Sequence, residues 1–429
     1  MTGVRALRIG FAGLTHLAIC SAVAAAEQGF EVLCFDADPS AVEAFRSLRF
    51  PIYEPQLDAL ASSNASRLAA TRRAGDLRNV DLCFVAPDVP TGSDGRSDLD
   101  SIKKLIETVD GSLASHVPMI VLSQVPPGFV RALARSAPSK FCQVETLIFG
   151  QAMSRALKPE RFIVGCADPS APLPPAYQAF LDSFRCPILQ MRYESAELAK
   201  ISINMFLVSS VTTTNTIAEL CERMGADWEE IVPALRLDRR IGGHAYLSAG
   251  LGIAGGNLER DLATFIDLGV ANGTDVAVVQ AWLHNSERRR KWVFDTLSLA
   301  FLRETRNPVI GMLGLAYKQD TASIRNSAAL DLLADLPSAC TVRAFDPVVK
   351  VEPTWRASGL VQASNVLDAC DGANAVVIMT PWPDFKRIDV EAMARAMRGR
   401  LVVDPYGVLE GVACRKAGLS HHRLGLTSP

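Results

Sequence analysis

Arg8-Ile-Gly-Phe-Ala-Gly13-Leu-Thr15-His-Leu-Ala18, with Glu31-Val-Leu-Cys-Phe-Asp36 after it, is the stretch whose reading decides the fold. A short apolar run meets a glycine, an Ala- and Leu-rich segment over 17–28 follows, and a second apolar run ends on an acid. That order predicts strand, tight turn, helix and strand, the opening of a parallel sheet with helices on both faces. A dinucleotide site needs such a turn, so that backbone N–H groups and a helix N-terminus can approach a pyrophosphate. It also needs an acid about 20 positions later for the ribose hydroxyls. Gly13 and Asp36, 23 apart, satisfy the two ends of the pattern. Its middle departs, because G-x-G-x-x-G reads Gly13-x-Thr15-x-x-Ala18. Ala18 suits the packing position, whereas Thr15 adds a side chain where phosphates should come closest. Gly13, Leu14, Thr15, His16, Leu17 and Asp36 are the candidate cofactor contacts. Asp36 favours NAD over NADP, since it would repel a 2′-phosphate.

Outward from this unit the alternation continues through Asp81-Leu-Cys-Phe-Val85, Met119-Ile-Val-Leu122 and Arg161-Phe-Ile-Val-Gly165. It resumes at Val309-Ile-Gly-Met-Leu313, Thr341-Val-Arg-Ala-Phe345, Ala375-Val-Val-Ile-Met379 and Leu401-Val-Val403. Between the two blocks, 195–224 contains no Pro or Gly and carries Leu198, Ile201, Met205, Leu207 and Val208 at helical spacing. A helix of about 30 residues, roughly 45 Å long, is too long for one domain face and suits a linker or a dimer interface. The expected fold is α/β: two Rossmann-like doubly wound parallel-sheet domains, 1–192 and 306–429, joined by a central helical segment, 193–305.

The 429 residues fit two or three domains. Lys and Arg total 44 against 46 Asp and Glu, a net charge of −2, so no basic excess invites nucleic acid or an anionic membrane. No apolar run approaches the roughly 20 residues that span a bilayer. The start, Met1-Thr-Gly-Val-Arg-Ala-Leu-Arg8, has no apolar signal core, which predicts a cytoplasmic protein. The ten cysteines form no C-x-x-C and several sit in apolar runs, so they read as reduced small hydrophobes. The six histidines form no H-E-x-x-H, and no metal is expected.

With these blocks in hand, the chain resembles the UDP-glucose/GDP-mannose 6-dehydrogenases over nearly its whole length. The resemblance rests on ordered blocks: Pro90-Thr91 with Asp94-Gly-Arg-Ser-Asp-Leu99, Ser123-Gln-Val-Pro-Pro-Gly128, Lys158-Pro-Glu-Arg161, and Ala196-Glu-Leu-Ala-Lys200 with Asn204. Asp238-Arg-Arg240-Ile-Gly242, Ala249-Gly-Leu-Gly-Ile-Ala-Gly-Gly256, Gly314-Leu-Ala-Tyr-Lys318, Thr321-Ala-Ser-Ile-Arg325-Asn-Ser327, Asp346-Pro347 and Thr380-Pro-Trp382 continue it. It implies a homodimer built on the long helix, NAD on the first domain and a sugar nucleotide mainly on the last. Pro90, Thr91, Ser123, Gln124 and Arg325 join the cofactor contacts on this basis. Phe149, Arg240, Tyr246, Gly250, Gly252, Gly256 and Lys318 become candidate substrate contacts. In the family a sugar primary alcohol is oxidised twice, through an aldehyde that a cysteine captures and a thioester that water hydrolyses.

The resemblance also locates what is missing. The family loop G-F-G-G-S-C-F-P-K-D here reads Gly252-Ile-Ala-Gly-Gly-Asn257-Leu-Glu-Arg-Asp261, so an amide stands at the position of the nucleophile. An amide cannot hold an acyl group as a thiolate does. Phe149 replaces the deacylating glutamate, Gln124 the threonine of S-T-V-P, and Asp404-Pro-Tyr-Gly407 the usual D-G-R-N. Lys200 and Asn204, one turn apart on a helix, remain with Asn257 and Asp261 as candidates for one hydride-transfer step. Three readings stay open: oxidation of an alcohol to a carbonyl, a redox-neutral dehydratase or epimerase that returns the hydride, and an inactive NAD-binding pseudoenzyme. The substrate class is a sugar nucleotide or nucleoside, the latter a possibility in specialised metabolism.

Overall fold

A computed structural model describes residues 6–90, 97–134, 139–351, 355 and 359–427. Its contacts divide the chain into two units, Met1–Ile203 and Asn204–Pro429, with the division falling inside the long helix.

The first unit is an eight-stranded sheet. Its strands are β1 (Arg8–Ala12), β2 (Glu31–Phe35), β3 (Leu68–Thr71), β4 (Leu82–Val85), β5 (Met119–Val121), β6 (Lys140–Val144), β7 (Phe162–Cys166) and β8 (Ile188–Arg192). They lie in the order β3-β2-β1-β4-β5-β6-β7-β8, every pair parallel except β6 with β7. The antiparallel pair is the one departure in a sheet that is otherwise parallel, as the alternation predicts. Central strands are buried on both faces, so β1, β2 and β4 are continuous apolar runs rather than alternating ones. The unexpected strands lack that signature. β3 is Leu-Ala-Ala-Thr, β6 starts on buried Lys140, whose ammonium lies 3.0 Å from Asp110, and β8 is only half-buried.

The second unit carries a six-stranded, wholly parallel sheet: β9 (Val309–Leu313), β10 (Thr341–Phe345), β11 (Leu360–Gln362), β12 (Ala375–Ile378), β13 (Leu401–Val403) and β14 (Ser420–His422). The order β11-β10-β9-β12-β13-β14 is that of a doubly wound nucleotide-binding sheet. The chain is therefore α/β with two Rossmann-like sheets, as the alternation predicts.

The long helix runs Tyr193–Met224, starting two residues before the predicted 195 and ending at the predicted 224. Its buried stripe passes through Ile201, Met205, Val208, Thr212, Asn215, Ala218 and Cys221, spaced three or four apart. Phe206, Leu220 and Met224 lie on another face and are 79%, 53% and 71% exposed. Phe206 and Met224 are 18 residues, five turns, apart and so point the same way. No described helix is long and apolar enough to cross a membrane.

One acid of this helix reports on pH. Glu197 is buried and accepts the N–H groups of Gly128 (2.5 Å) and Val130 (2.9 Å). Burial pushes its carboxyl up to about 7, against the pull of those donors. A raised carboxyl binds its proton more tightly in the folded state, so its stabilisation is full below its ordinary value near 4.5 and is lost as pH rises through about 7. Thermal midpoints of the wild type should therefore fall more between pH 5 and pH 8 than those of Glu197→Gln. Parallel pH curves for the two proteins would contradict this.

Candidate active site

The turn after β1 is built for close approach. Gly13 has φ +89° and donates its N–H to the Phe35 carbonyl at 2.9 Å. A Cβ there would stand 3.0 Å from the Pro87 nitrogen. Leu14 N–H donates to Asp36 Oδ2 at 2.7 Å, and Asp38 N–H to Oδ1 at 2.9 Å. Thr15, at φ −93°, occupies a conformation open to any residue, and its hydroxyl donates to the Ala86 carbonyl at 2.8 Å. Its side chain is thus tied to the end of β4, which accounts for its tolerance in place of glycine. Thr15 does not cap the helix His16–Glu27 with its side chain, so His16 and Leu17 open that helix without the hydroxyl bound to their backbone.

The second sheet repeats the geometry with a different outcome. Gly314 N–H donates to the Phe345 carbonyl at 2.8 Å, the counterpart of Gly13 and Phe35. Asp346, however, accepts Leu315 N–H (2.7 Å), Ala316 N–H (3.1 Å) and the Trp382 indole (3.1 Å) on Oδ2. Its Oδ1 accepts Val348 N–H (2.9 Å) and Val349 N–H (2.8 Å). Five donors exceed the roughly four lone-pair sites of a carboxylate, and Asp346 is 5% exposed. It has no acceptor left for a ribose. Asp36, with two backbone donors and partial exposure, retains that capacity, so the residues around Gly13 fit a dinucleotide and those around Gly314 do not.

Ser123, buried beyond β5, donates its hydroxyl to the Pro87 carbonyl at 2.5 Å, and Gln124 follows it. The Pro90 carbonyl accepts Asp98 N–H at 2.8 Å. Thr91 lies outside the described residues. His16 connects this turn to Phe149: their ring centroids are 4.4 Å apart, and His16 Nε2 lies 2.8 Å from Glu54 Oε1. Glu54, buried, also accepts Gly150 N–H (2.9 Å) and Ala152 N–H (3.1 Å). A sequence reading passes over Glu54, since nothing in a lone acid announces its burial.

Glu145 is the second residue that sequence reasoning missed. It lies four residues before Phe149, in Glu145-Thr-Leu-Ile-Phe-Gly150, and that nearness to a candidate site residue was the available signal. Burial pushes its carboxyl up; Thr146 N–H, bonded to it at 2.7 Å, and the Lys200 ammonium oppose the rise. Lys200 is partly buried rather than a fully solvated helix lysine.

In the second unit Asn204 donates its amide to Asp261 Oδ2, and both are buried. Arg260 Nε lies 3.5 Å from Asp261 Oδ1. Asn257 is the exposed first residue of the helix Asn257–Ala271, and the cap residue is Gly256, so Asn257 does not hold that loop as a cap. The glycine loop is pinned along its length. Gly250 N–H donates to Asn215 Oδ1 (2.9 Å), Gly252 abuts Ser286, and Gly256 abuts the Arg325 guanidinium. The Tyr246 carbonyl accepts the Ser210 (2.9 Å) and Thr214 (3.1 Å) hydroxyls, while its side chain is 45% exposed. Lys318 Nζ sits 5.7 Å from the Tyr317 ring centroid. Arg240 is folded onto its neighbour Asp238, with Nε–Oδ1 at 3.0 Å and Nη2–Oδ2 at 2.7 Å.

All ten cysteines are free, nine of them buried. Burial pushes every one of these thiols above its ordinary value. None is poised as a thiolate.

Three models of one family match the chain in order. These are the NAD binding domain of the UDP-glucose/GDP-mannose dehydrogenase family over residues 7–176, its central domain over 194–287 and its UDP binding domain over 311–411. The chain belongs to the UDP-glucose/GDP-mannose dehydrogenase family. Among relatives of this family member, UDP-glucose 6-dehydrogenase TuaD of Bacillus subtilis is 27% identical, covering 97% of this chain and 93% of its own. UDP-glucose 6-dehydrogenase of Pseudomonas aeruginosa is 28% identical, covering 98% and 97%. The solved structure of a UDP-glucose dehydrogenase from Pyrobaculum islandicum matches with a TM-score of 0.82 at 28% identity, covering 96% of this chain and 99% of that one. The family's NAD binding domain coincides with the sheet whose acid remains open, and the cofactor of this oxidoreductase is NAD.

Proposed function

We propose that the protein oxidises a CH–OH group of a sugar nucleotide or nucleoside in one hydride transfer and stops at the carbonyl. The observation that carries this reading is Asn257 at the start of its helix, together with ten thiols whose protons burial holds more tightly. With no thiolate to trap an aldehyde, the second oxidation has no covalent route. The relatives named as UDP-glucose 6-dehydrogenases support a nucleotide-sugar substrate.

In this reading the cofactor contacts are Gly13, Leu14, Thr15, His16, Leu17, Asp36, Pro90, Thr91, Ser123, Gln124 and Arg325. NAD, when bound, supplies the hydride acceptor. Lys200 in its neutral amine form takes the hydroxyl proton, and the Glu145 carboxylate, which feels the charge of Lys200, accepts the proton in turn. Asn204 and Asn257 donate hydrogen bonds to the developing alkoxide, and buried Asp261 fixes the Asn204 amide. Phe149, Tyr246, the glycines 250, 252 and 256, Lys318 and Arg240 contact the substrate. The division into cofactor (1–192), dimerisation (193–305) and substrate (306–429) segments places Lys200, Asn204, Asn257, Asp261 and most of the substrate contacts in the middle one. Incubation with candidate nucleotide sugars and nucleosides should yield one NADH per substrate and a carbonyl product by mass spectrometry. Two NADH with a carboxylic acid would overturn the reading, and so would turnover with no NADH accumulating.

Exposed Phe206, Leu220 and Met224 on the long helix support a homodimer, since large apolar groups in one stripe are costly to leave in water. Light scattering of Phe206→Glu should show a shift towards monomer; an unchanged mass at micromolar concentration would remove this face from the interface.

A further inference from the structure

A cavity of about 280 Å³ in the first unit lies behind Glu145. Glu145, Thr146 and Arg155, all partly buried, line it together with exposed Ser154, Lys158 and Glu160. A continuous polar series joins its buried and exposed sides. Thr146 N–H donates to Glu145 Oε1 at 2.7 Å, Arg155 Nε donates to the Thr146 carbonyl at 2.9 Å, and Arg155 Nη2 reaches the Thr146 hydroxyl at 3.4 Å. Arg155 Nη1 then meets Glu160 Oε1 at 3.4 Å. The space admits several waters, each with polar partners on the wall.

We propose that this cavity is the proton exit of the enzyme, with Glu145 as its inner gate and the Thr146–Arg155–Glu160 series leading to solvent. The proposal rests on the dehydrogenase reading, because oxidation of CH–OH releases one proton for each hydride. As the C–H bond breaks, its electron pair leaves with the hydride; as the O–H bond breaks, its electrons form the second C–O bond. The proton passes to the Lys200 amine, from there to the Glu145 carboxylate, and then to a water in the cavity, which restores both groups. The raised affinity of the Glu145 carboxyl for its proton suits an intermediate carrier. Thr146 and Arg155 act through Glu145 and are positioning residues.

Infrared spectroscopy tests this without a substrate. On transfer of the full-length protein to D2O at a pH low enough to protonate the carboxyl, the Glu145 band, assigned by its loss in Glu145→Gln, should shift rapidly in the wild type. In Thr146→Val and Arg155→Met the shift should be at least about tenfold slower, with thermal midpoints showing both variants folded. Unchanged exchange in both folded variants, or no band assignable to Glu145 at any pH at which the protein stays folded, would overturn the proposal. Once a substrate is in hand, Thr146→Val should show a lowered kcat restored by small bases such as imidazole, at unchanged NAD affinity. Slowed exchange in a protein with no dehydrogenase activity would sink the functional reading while leaving the proton path standing.

Discussion

Lys200→Met is expected to lower turnover by about 10²- to 10⁴-fold, the range over which a positioned acid–base group acts. Methionine keeps the length and the helix preference of the side chain and removes the proton acceptor. The loss should fall on kcat, with NAD affinity within about twofold of wild type, because the glycine turn and Asp36 are untouched. The Glu145 carboxyl would also lose the ammonium that opposes its rise and would move further up. Stopped-flow measurement of NADH formation decides the matter. A variant that retains a tenth or more of wild-type turnover would place the base elsewhere.

Gly13→Val should weaken NAD binding by roughly 10- to 100-fold. A β-branched residue at φ +89° carries about 1–3 kcal/mol of backbone strain, and each 1.4 kcal/mol is tenfold in affinity. The added Cβ would also press on Pro87, 3.0 Å away, and displace the backbone that the pyrophosphate must approach. Thr15→Gly is the control. Thr15 already adopts an ordinary conformation, and its hydroxyl is spent on Ala86 so that only its backbone is left to meet the cofactor; removing its side chain should change NAD affinity by less than about threefold. Calorimetric titration with NAD reads both. Equal affinities for wild type and Gly13→Val would detach the cofactor from this turn.

The elements legible in the sequence are those with one dominant physical cause. β1, β2, β9 and β13 were expected at their observed limits, because a strand buried on both faces is apolar over most of its length, and β10 because Val342 and Ala344 alternate with half-buried neighbours. The long helix was legible because a run without Pro or Gly leaves nothing to end it. β3, β6, β8, β11 and β14 were not, since alanine, lysine, glutamine and histidine enter those strands only through their neighbours' pairing. The same division runs through the site. Lys200, Asn204 and Asp261 stood out through the resemblance, and the structure bonds Asn204 to Asp261. Glu54 and Glu145 did not, because their significance is burial, and burial belongs to the packed chain.

The sequence by itself determined the alternation that makes two doubly wound sheets, the glycine and acid of the first turn, and the amide at position 257. These follow from the covalent identity of residues at fixed spacing. Only the tertiary structure decided which of two similar turns can receive a dinucleotide. Gly13 with Asp36 and Gly314 with Asp346 offer the same glycine and the same carboxylate, yet five donors surround Asp346 and two backbone donors meet Asp36. A carboxylate's capacity to bind a ribose depends on the lone pairs its neighbours leave, and that number is set by folding rather than by the order of residues.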